Sequence, residues 1–141
     1  MAQVFTMTHR VEFADTDMAG IIHFSSYFRY MEVTEHAFFR SLGLSITGTE
    51  GIGWPRVHVS SDFRSPLRFE DELEVHLIIS ELRSKVITYT FEFWNQNATP
   101  PLLVGTGKLT TVCVSTDENG RMTATAIPPR IAELLKPHVT D

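Results

Sequence analysis

Asp15-Thr16-Asp17-Met18-Ala19-Gly20-Ile21-Ile22-His23-Phe24, continued by an aromatic-rich segment from Ser25 to Leu42, is the stretch on which the fold turns. Two carboxylates are followed by a small-residue turn, a histidine and then the expected start of a helix. That order can bring an acid, a cluster of backbone amides and the positive end of a helix dipole to one point. Ser25 or Ser26 is the expected N-cap, because a serine hydroxyl can accept from an amide of the first turn. Phe24, just before it, is placed to pack on Phe28. From Tyr27 to Leu42 there is no Gly or Pro, and Gly43 stands where a left-handed C-cap residue belongs. Tyr27, Tyr30, Met31, Ala37, Phe38 and Leu42 fall at helical spacing with Thr34 between them, and Phe28, Val33 and Phe39 widen the stripe. Arg29, Glu32, His36 and Arg40 make a narrower polar face. A helix apolar over so much of its girth is expected to be wrapped by other structure.

Outward from this helix the chain reads as strands. Val4 to Phe13 is predicted as a strand, Val11 and Phe13 facing one way and Arg10 and Glu12 the other. Ile46 to Trp54, with Gly48, Gly51 and Gly53, reads as a mobile loop; it lacks the lysine and the following helix of a phosphate loop. Val57–Phe63, Leu73–Leu82, Val86–Asn95 and Leu102–Ser115 are predicted strands. Arg83-Ser84-Lys85 is a hairpin link, and Gly105 and Gly107 are taken to mark bulges or a bend. Asp117-Glu118-Asn119-Gly120 is a tight turn, and Pro128–Leu135 a short terminal helix. One buried helix and about five antiparallel strands make an α+β layout.

The 141 residues suit one domain over residues 1–141. A net charge of −5 and a pI near 5.6 argue against a general nucleic-acid partner. Cys113 is the lone cysteine, so no intrachain disulfide can form, as in a reducing compartment. No apolar run approaches the ~18 residues of a membrane span, and no signal-peptide pattern opens the chain. A cytoplasmic protein is expected. The six histidines show no metal-ligand spacing, no Gly-x-Ser-x-Gly elbow occurs, and no metal or cofactor is expected. From the residues alone, Asp15 and Asp17 read first as turn-forming or capping residues and second as candidate acids.

The run Arg10-Val11-Glu12-Phe13-Ala14-Asp15-Thr16-Asp17-Met18-Ala19-Gly20-Ile21-Ile22 resembles the N-terminal motif of the 4-hydroxybenzoyl-CoA thioesterase family of hotdog-fold proteins. Tyr27 and its helix continue the likeness, as do Phe63, Pro66, Asp71 and Leu73. The resemblance implies a long central helix wrapped by a curved antiparallel sheet. It also implies acyl-CoA hydrolysis without metal or organic cofactor, and sites shared between subunits of a homodimer or homotetramer. By position, Asp17 matches the family's catalytic aspartate, and the Phe24 backbone amide matches the donor that polarises the thioester carbonyl.

The same likeness makes Tyr27, His58, Ser60, Arg83 and Lys85 candidate substrate-binding residues; His23 joins them by its place one residue before the expected oxyanion donor, where the family more often carries an aromatic residue. Arg83 and Lys85 would meet CoA phosphates, whose charge suits paired cations. His58 and Ser60 share one strand face. Asp15 reads as a structural support. Glu32 and Glu35 are rival acids on the helix: Arg29 and His36 flank Glu32 at helical spacing, whereas Glu35 has no such neighbour and is read as bonded to a loop. Two other functions fit the fold. One is an acyl-thioester hydratase or dehydratase using His23 with an acid; the other is a non-catalytic module binding acyl-CoA or an acyl-carrier protein.

Overall fold

The computed structural model describes residues 1–47 and 51–141. Strand β1 (Phe5–Arg10) ends three residues earlier than the alternation suggests, because a local carboxylate takes over. Asp15 accepts from the Glu12 N–H at 2.9 Å, and its own N–H returns to the Glu12 carbonyl, also at 2.9 Å. This closes a single 3-10 turn over Phe13–Asp15. Val11 is therefore fully buried while Phe13 is 78% exposed, so the two do not share a face.

Helix α1 (Phe24–Ser41) is capped by His23, not by a serine. The imidazole Nδ1 accepts from the Ser25 N–H at 3.2 Å, and the Ser26 hydroxyl turns inward to donate to the Asp15 carbonyl at 3.0 Å. The helix ends as its sequence indicates. Gly43 has φ +77°, its N–H bonds to Arg40 O and that of Leu44 to Phe39 O, closing a Schellman motif with Leu44 and Phe39 both buried. Tyr27, Tyr30, Met31, Thr34 and Phe38 form the buried stripe.

That stripe packs on a five-stranded antiparallel sheet of order β1-β4-β5-β6-β3, with β3 at Arg56–Phe63, β4 at Glu72–Leu82, β5 at Val86–Asn95 and β6 at Leu102–Val112. Alternate residues of β4 (Leu73, Val75, Leu77, Ile79) and of β5 (Ile87, Tyr89, Phe91, Phe93) are fully buried beneath it. Each of the aliphatic and phenylalanine side chains among them contributes about 1.5–3 kcal/mol of burial free energy. The expected run Leu102–Ser115 is broken at Cys113. Its last part, β7 (Val114–Thr116), joins β2 (Ile52–Gly53) and β8 (Met122–Ala124) in a second sheet of order β2-β7-β8. Part of the expected mobile loop is thus paired, Ile52 with Ser115 and Gly53 with Val114. Trp54 is buried edge-on against Phe39. Gly48 lies outside the described residues.

The register shifts between Phe93 and Trp94, leaving Val104 as the extra residue, so Gly105 directly flanks the expected bulge while the ladder runs regularly through Gly107. A Cβ at Gly107 would collide with the Met31 side chain. One at Gly105 would lie 2.9 Å from the Asp62 carbonyl and 3.6 Å from the Tyr27 ring. The two glycines leave room for α1 to approach the sheet. Helix α2 (Pro129–Leu135) anchors the C-terminal region through buried Ile131 and Leu135.

Candidate active site

The turn after β1 is held from both ends. The Asp17 N–H donates to Ile21 O at 2.8 Å, Gly20 N–H to Asp17 O at 3.0 Å, and Ile22 N–H to Leu67 O at 2.7 Å. Gly20 sits at φ +79°, where a side chain would be strained. Asp17 Oδ1 accepts from the Ala19 N–H at 2.8 Å. The other carboxylate oxygen has no protein donor among the described residues.

That carboxylate borders a cavity of about 480 Å³. Asp17, Ile21 and Ile22 form one wall, Phe24 and Tyr27 of α1 the second, and Phe63 at the end of β3 with Arg64, Ser65 and Pro66 after it the third. Tyr27 is buried, 4.9 Å from the Phe63 ring and 5.0 Å from that of Phe93. Burial pushes its hydroxyl pKa up to about 12, so it stays protonated at neutral pH. Phe24 is the first helical residue, and its N–H has no acceptor among the described residues. An unbonded amide at the positive end of a helix, on the cavity that a carboxylate also borders, suits attack on a carbonyl that becomes an oxyanion.

The other candidates separate. Asp15 is 2% exposed and bonded to the Tyr30 hydroxyl, the Arg29 guanidinium and the Glu12 N–H. His23 caps α1 and stacks on the Phe24 ring at 4.4 Å, outside the cavity wall. His58 and Ser60 are exposed on edge strand β3 and also lie outside that wall. Arg83, ion-paired with Glu81, and Lys85 are exposed in the β4–β5 link. Lys85 precedes Phe93, the neighbour of Tyr27, by eight positions of chain, roughly 26 Å at the rise of a strand. Within one chain these two cations do not face Asp17.

Glu35 finds its partner on another element. It is fully buried, ion-paired with Arg56 of β3, and burial, opposed by Arg56, holds its pKa up at about 7. Glu32 lies 3.8 Å from the same guanidinium. Both acids lie away from the Asp17 cavity; Glu32 instead borders a second cavity with His36, Trp54 and Arg56. Arg64 and Ser65, which line the Asp17 cavity, carry no local pattern that marks them; Phe63 and Pro66 beside them belong to the motif of the resemblance. Among the described residues no cluster of His, Cys, Asp and Glu could hold a metal. No helix among them is long and apolar enough to cross a membrane.

Comparison with known proteins adds independent findings. The thioesterase-like superfamily profile matches residues 11–135. The 4-hydroxybenzoyl-CoA thioesterase of Pseudomonas sp. (strain CBS-3) is 31% identical over 90 residues, covering 60% of this chain and 64% of that protein. A 1,4-dihydroxy-2-naphthoyl-CoA hydrolase of Prochlorococcus marinus is 35% identical over 107 residues, covering 66% of this chain and 68% of that protein. The solved structure of 4-hydroxybenzoyl CoA thioesterase from Pseudomonas sp. strain CBS-3 superposes with a TM-score of 0.84 at 27% identity, over 94% of this chain and 99% of that one.

Proposed function

The chain belongs to the thioesterase-like superfamily, and from that premise we propose that its acyl-CoA thioester hydrolysis takes place in the cavity between Asp17 and the start of α1. It is a thioester hydrolase of the hotdog fold. Asp17, as general base or as nucleophile, starts the attack on the thioester carbonyl, and the Phe24 N–H holds the oxyanion. In the base route, water adds to the carbonyl carbon and its proton passes to Asp17. The tetrahedral adduct then expels the thiolate, which takes the proton, leaving a free acid and CoA. In the nucleophile route the Asp17 carboxylate adds to the carbonyl carbon and the C–S bond breaks, expelling the CoA thiolate; water then hydrolyses the acyl-aspartyl anhydride to the free acid and Asp17, and its released proton goes to the thiolate. Single turnover in ¹⁸O-labelled water, with the Asp17 peptide analysed by mass, together with rapid-quench trapping of the acylated chain, separates them: label in the Asp17 carboxylate or an acyl group on Asp17 marks the anhydride, and neither marks the base route.

The acyl group is aromatic. Support comes from the Tyr27 and Phe63 rings on the cavity and from relatives named for aromatic acyl-CoA substrates. Residues 1–141 act as one domain in a homodimer or homotetramer. His58, Ser60, Arg83 and Lys85 then meet the substrate of a neighbouring subunit, consistent with their exposure and their distance from Asp17 in their own chain. His23 serves by holding the helix start. The single observation that carries the reading is the Asp17 carboxylate, with one oxygen unbonded, on the cavity that the α1 N-terminus also lines. No observation favours a hydratase, since His23 spends Nδ1 on the cap.

The test is a panel of aromatic, short-chain and long-chain acyl-CoAs, and matched acyl-carrier proteins, scored for thiol release with enoyl-CoA absorbance followed in parallel. Thiol release fastest with aromatic acyl-CoAs is expected. Water addition without thiol release, or binding without turnover, would overturn the reading.

A further inference from the structure

Asp15, two residues before the proposed chemical group, is bonded far beyond what a turn requires. Its Oδ2 accepts from the Tyr30 hydroxyl at 2.6 Å and the Glu12 N–H at 2.9 Å, and its Oδ1 from the Arg29 guanidinium. Its main-chain carbonyl accepts from the His23 N–H at 2.7 Å and the Ser26 hydroxyl at 3.0 Å. A buried carboxylate needs such donors to offset its lost hydration, but need alone does not choose their positions. His23 and Ser26 flank Phe24, a residue of the cavity wall whose N–H has no acceptor among the described residues. Arg29 and Tyr30 lie one to two turns further along the same helix. One residue thus ties the loop carrying Asp17 to the helix start on both sides of Phe24 and to the helix body beyond it.

We propose that Asp15 is a positioning residue that fixes the separation of the Asp17 carboxylate from the Phe24 N–H, with Tyr30 and Arg29 as its anchors. The inference rests on the reading of Asp17 and Phe24 given above. Tyr30 is a durable anchor, because burial pushes its pKa up to about 12 and its hydroxyl remains a donor across the working range. Arg29 lies with its guanidinium carbon 5.2 Å from the centre of the Tyr30 ring, which keeps the two anchors together. A loop released from this clamp still folds over the cavity and still admits substrate. What it loses is register, and a displacement of about 1 Å between reacting groups can lower turnover about 100-fold.

The test compares kcat, KM and Tm for Asp15→Asn, Tyr30→Phe and the wild-type chain, each alone and combined with Phe24→Pro. Proline is tolerated at the first helical position, and His23 at φ −67°, ψ 139° suits a residue before proline. That change deletes the N–H while keeping the helix. The expected result is a fall in kcat of about 10- to 100-fold for Asp15→Asn and a smaller fall for Tyr30→Phe, with KM within about threefold of wild type. In the Phe24→Pro background the Asp15→Asn penalty should shrink below about threefold, because the amide it aims is gone. Unchanged kcat in folded variants, or penalties that multiply fully in the combined variant, overturns the positioning role. If Asp15→Asn does not fold, Tyr30→Phe decides alone by the same criteria. A fully active Phe24→Pro chain instead overturns the oxyanion assignment, so the two failures are told apart.

Discussion

At the scale of single residues, backbone groups matter as much as side chains. Phe24 is proposed to act through its N–H, and its ring is 62% exposed. Phe24→Pro should therefore lower kcat by about 10²–10³-fold, the usual worth of one oxyanion donor, while Phe24→Ala stays within a few-fold of wild type. Steady-state thiol release with both variants checks this; equal losses would place the function in the ring. His23→Ala should remove about 1 kcal/mol of stability through the lost cap and leave kcat within a few-fold. A large kcat loss at unchanged Tm would return His23 to the chemistry. The Asp15–Phe24 stretch was legible because the loop and helix start are contiguous. His23 as the cap was not, since two serines with better capping propensity follow it. Nor were Arg29 and Tyr30 as anchors: they lie more than a dozen residues from Asp15, and no local period links them.

Elements meet through what the sequence omits as well as what it supplies. Gly105 and Gly107 lack the Cβ atoms that would strike β3 and α1. Gly105→Ala should cost about 1–3 kcal/mol, because the obstacle is the Asp62 main chain, which cannot swing aside. Urea denaturation measures it, and a neutral result would mean that β3 shifts freely. The alternation of β4 and β5 and the apolar girth of α1 made the α+β packing readable in advance. The break at Cys113 was not readable. No Gly or Pro marks it, and it exists because distant Ile52–Gly53 and Met122–Ala124 claim Val114–Thr116 for another sheet. The cavity wall Phe63–Pro66 was not readable either: Phe63 and Pro66 stood out only as part of the family motif, and nothing local placed them or Arg64 and Ser65 beside Asp17.

Over the whole molecule, one buried ion pair joins the middle of α1 to the edge strand β3. Glu35 faces Arg56, with Glu32 and Tyr89 also close enough to act on its charge. Its pKa, about 7 when folded against 4.5 ordinarily, means that the folded chain disfavours the ionised form. Its contribution to stability is full below pH 4.5, falls as pH rises towards 7, and is lost above that. The Tm of wild type relative to Glu35→Gln should decline over that window; a flat difference would contradict the burial assigned to Glu35. The sequence showed Glu35 without a helical partner, and only the fold could supply Arg56. The most direct test of the central claim is thiol release by Asp17→Asn on an aromatic acyl-CoA, with Tm measured alongside. The expected result is a rate lowered by about 10²–10⁴-fold at an unchanged Tm. A folded Asp17→Asn chain that hydrolyses its substrate at the wild-type rate would contradict it.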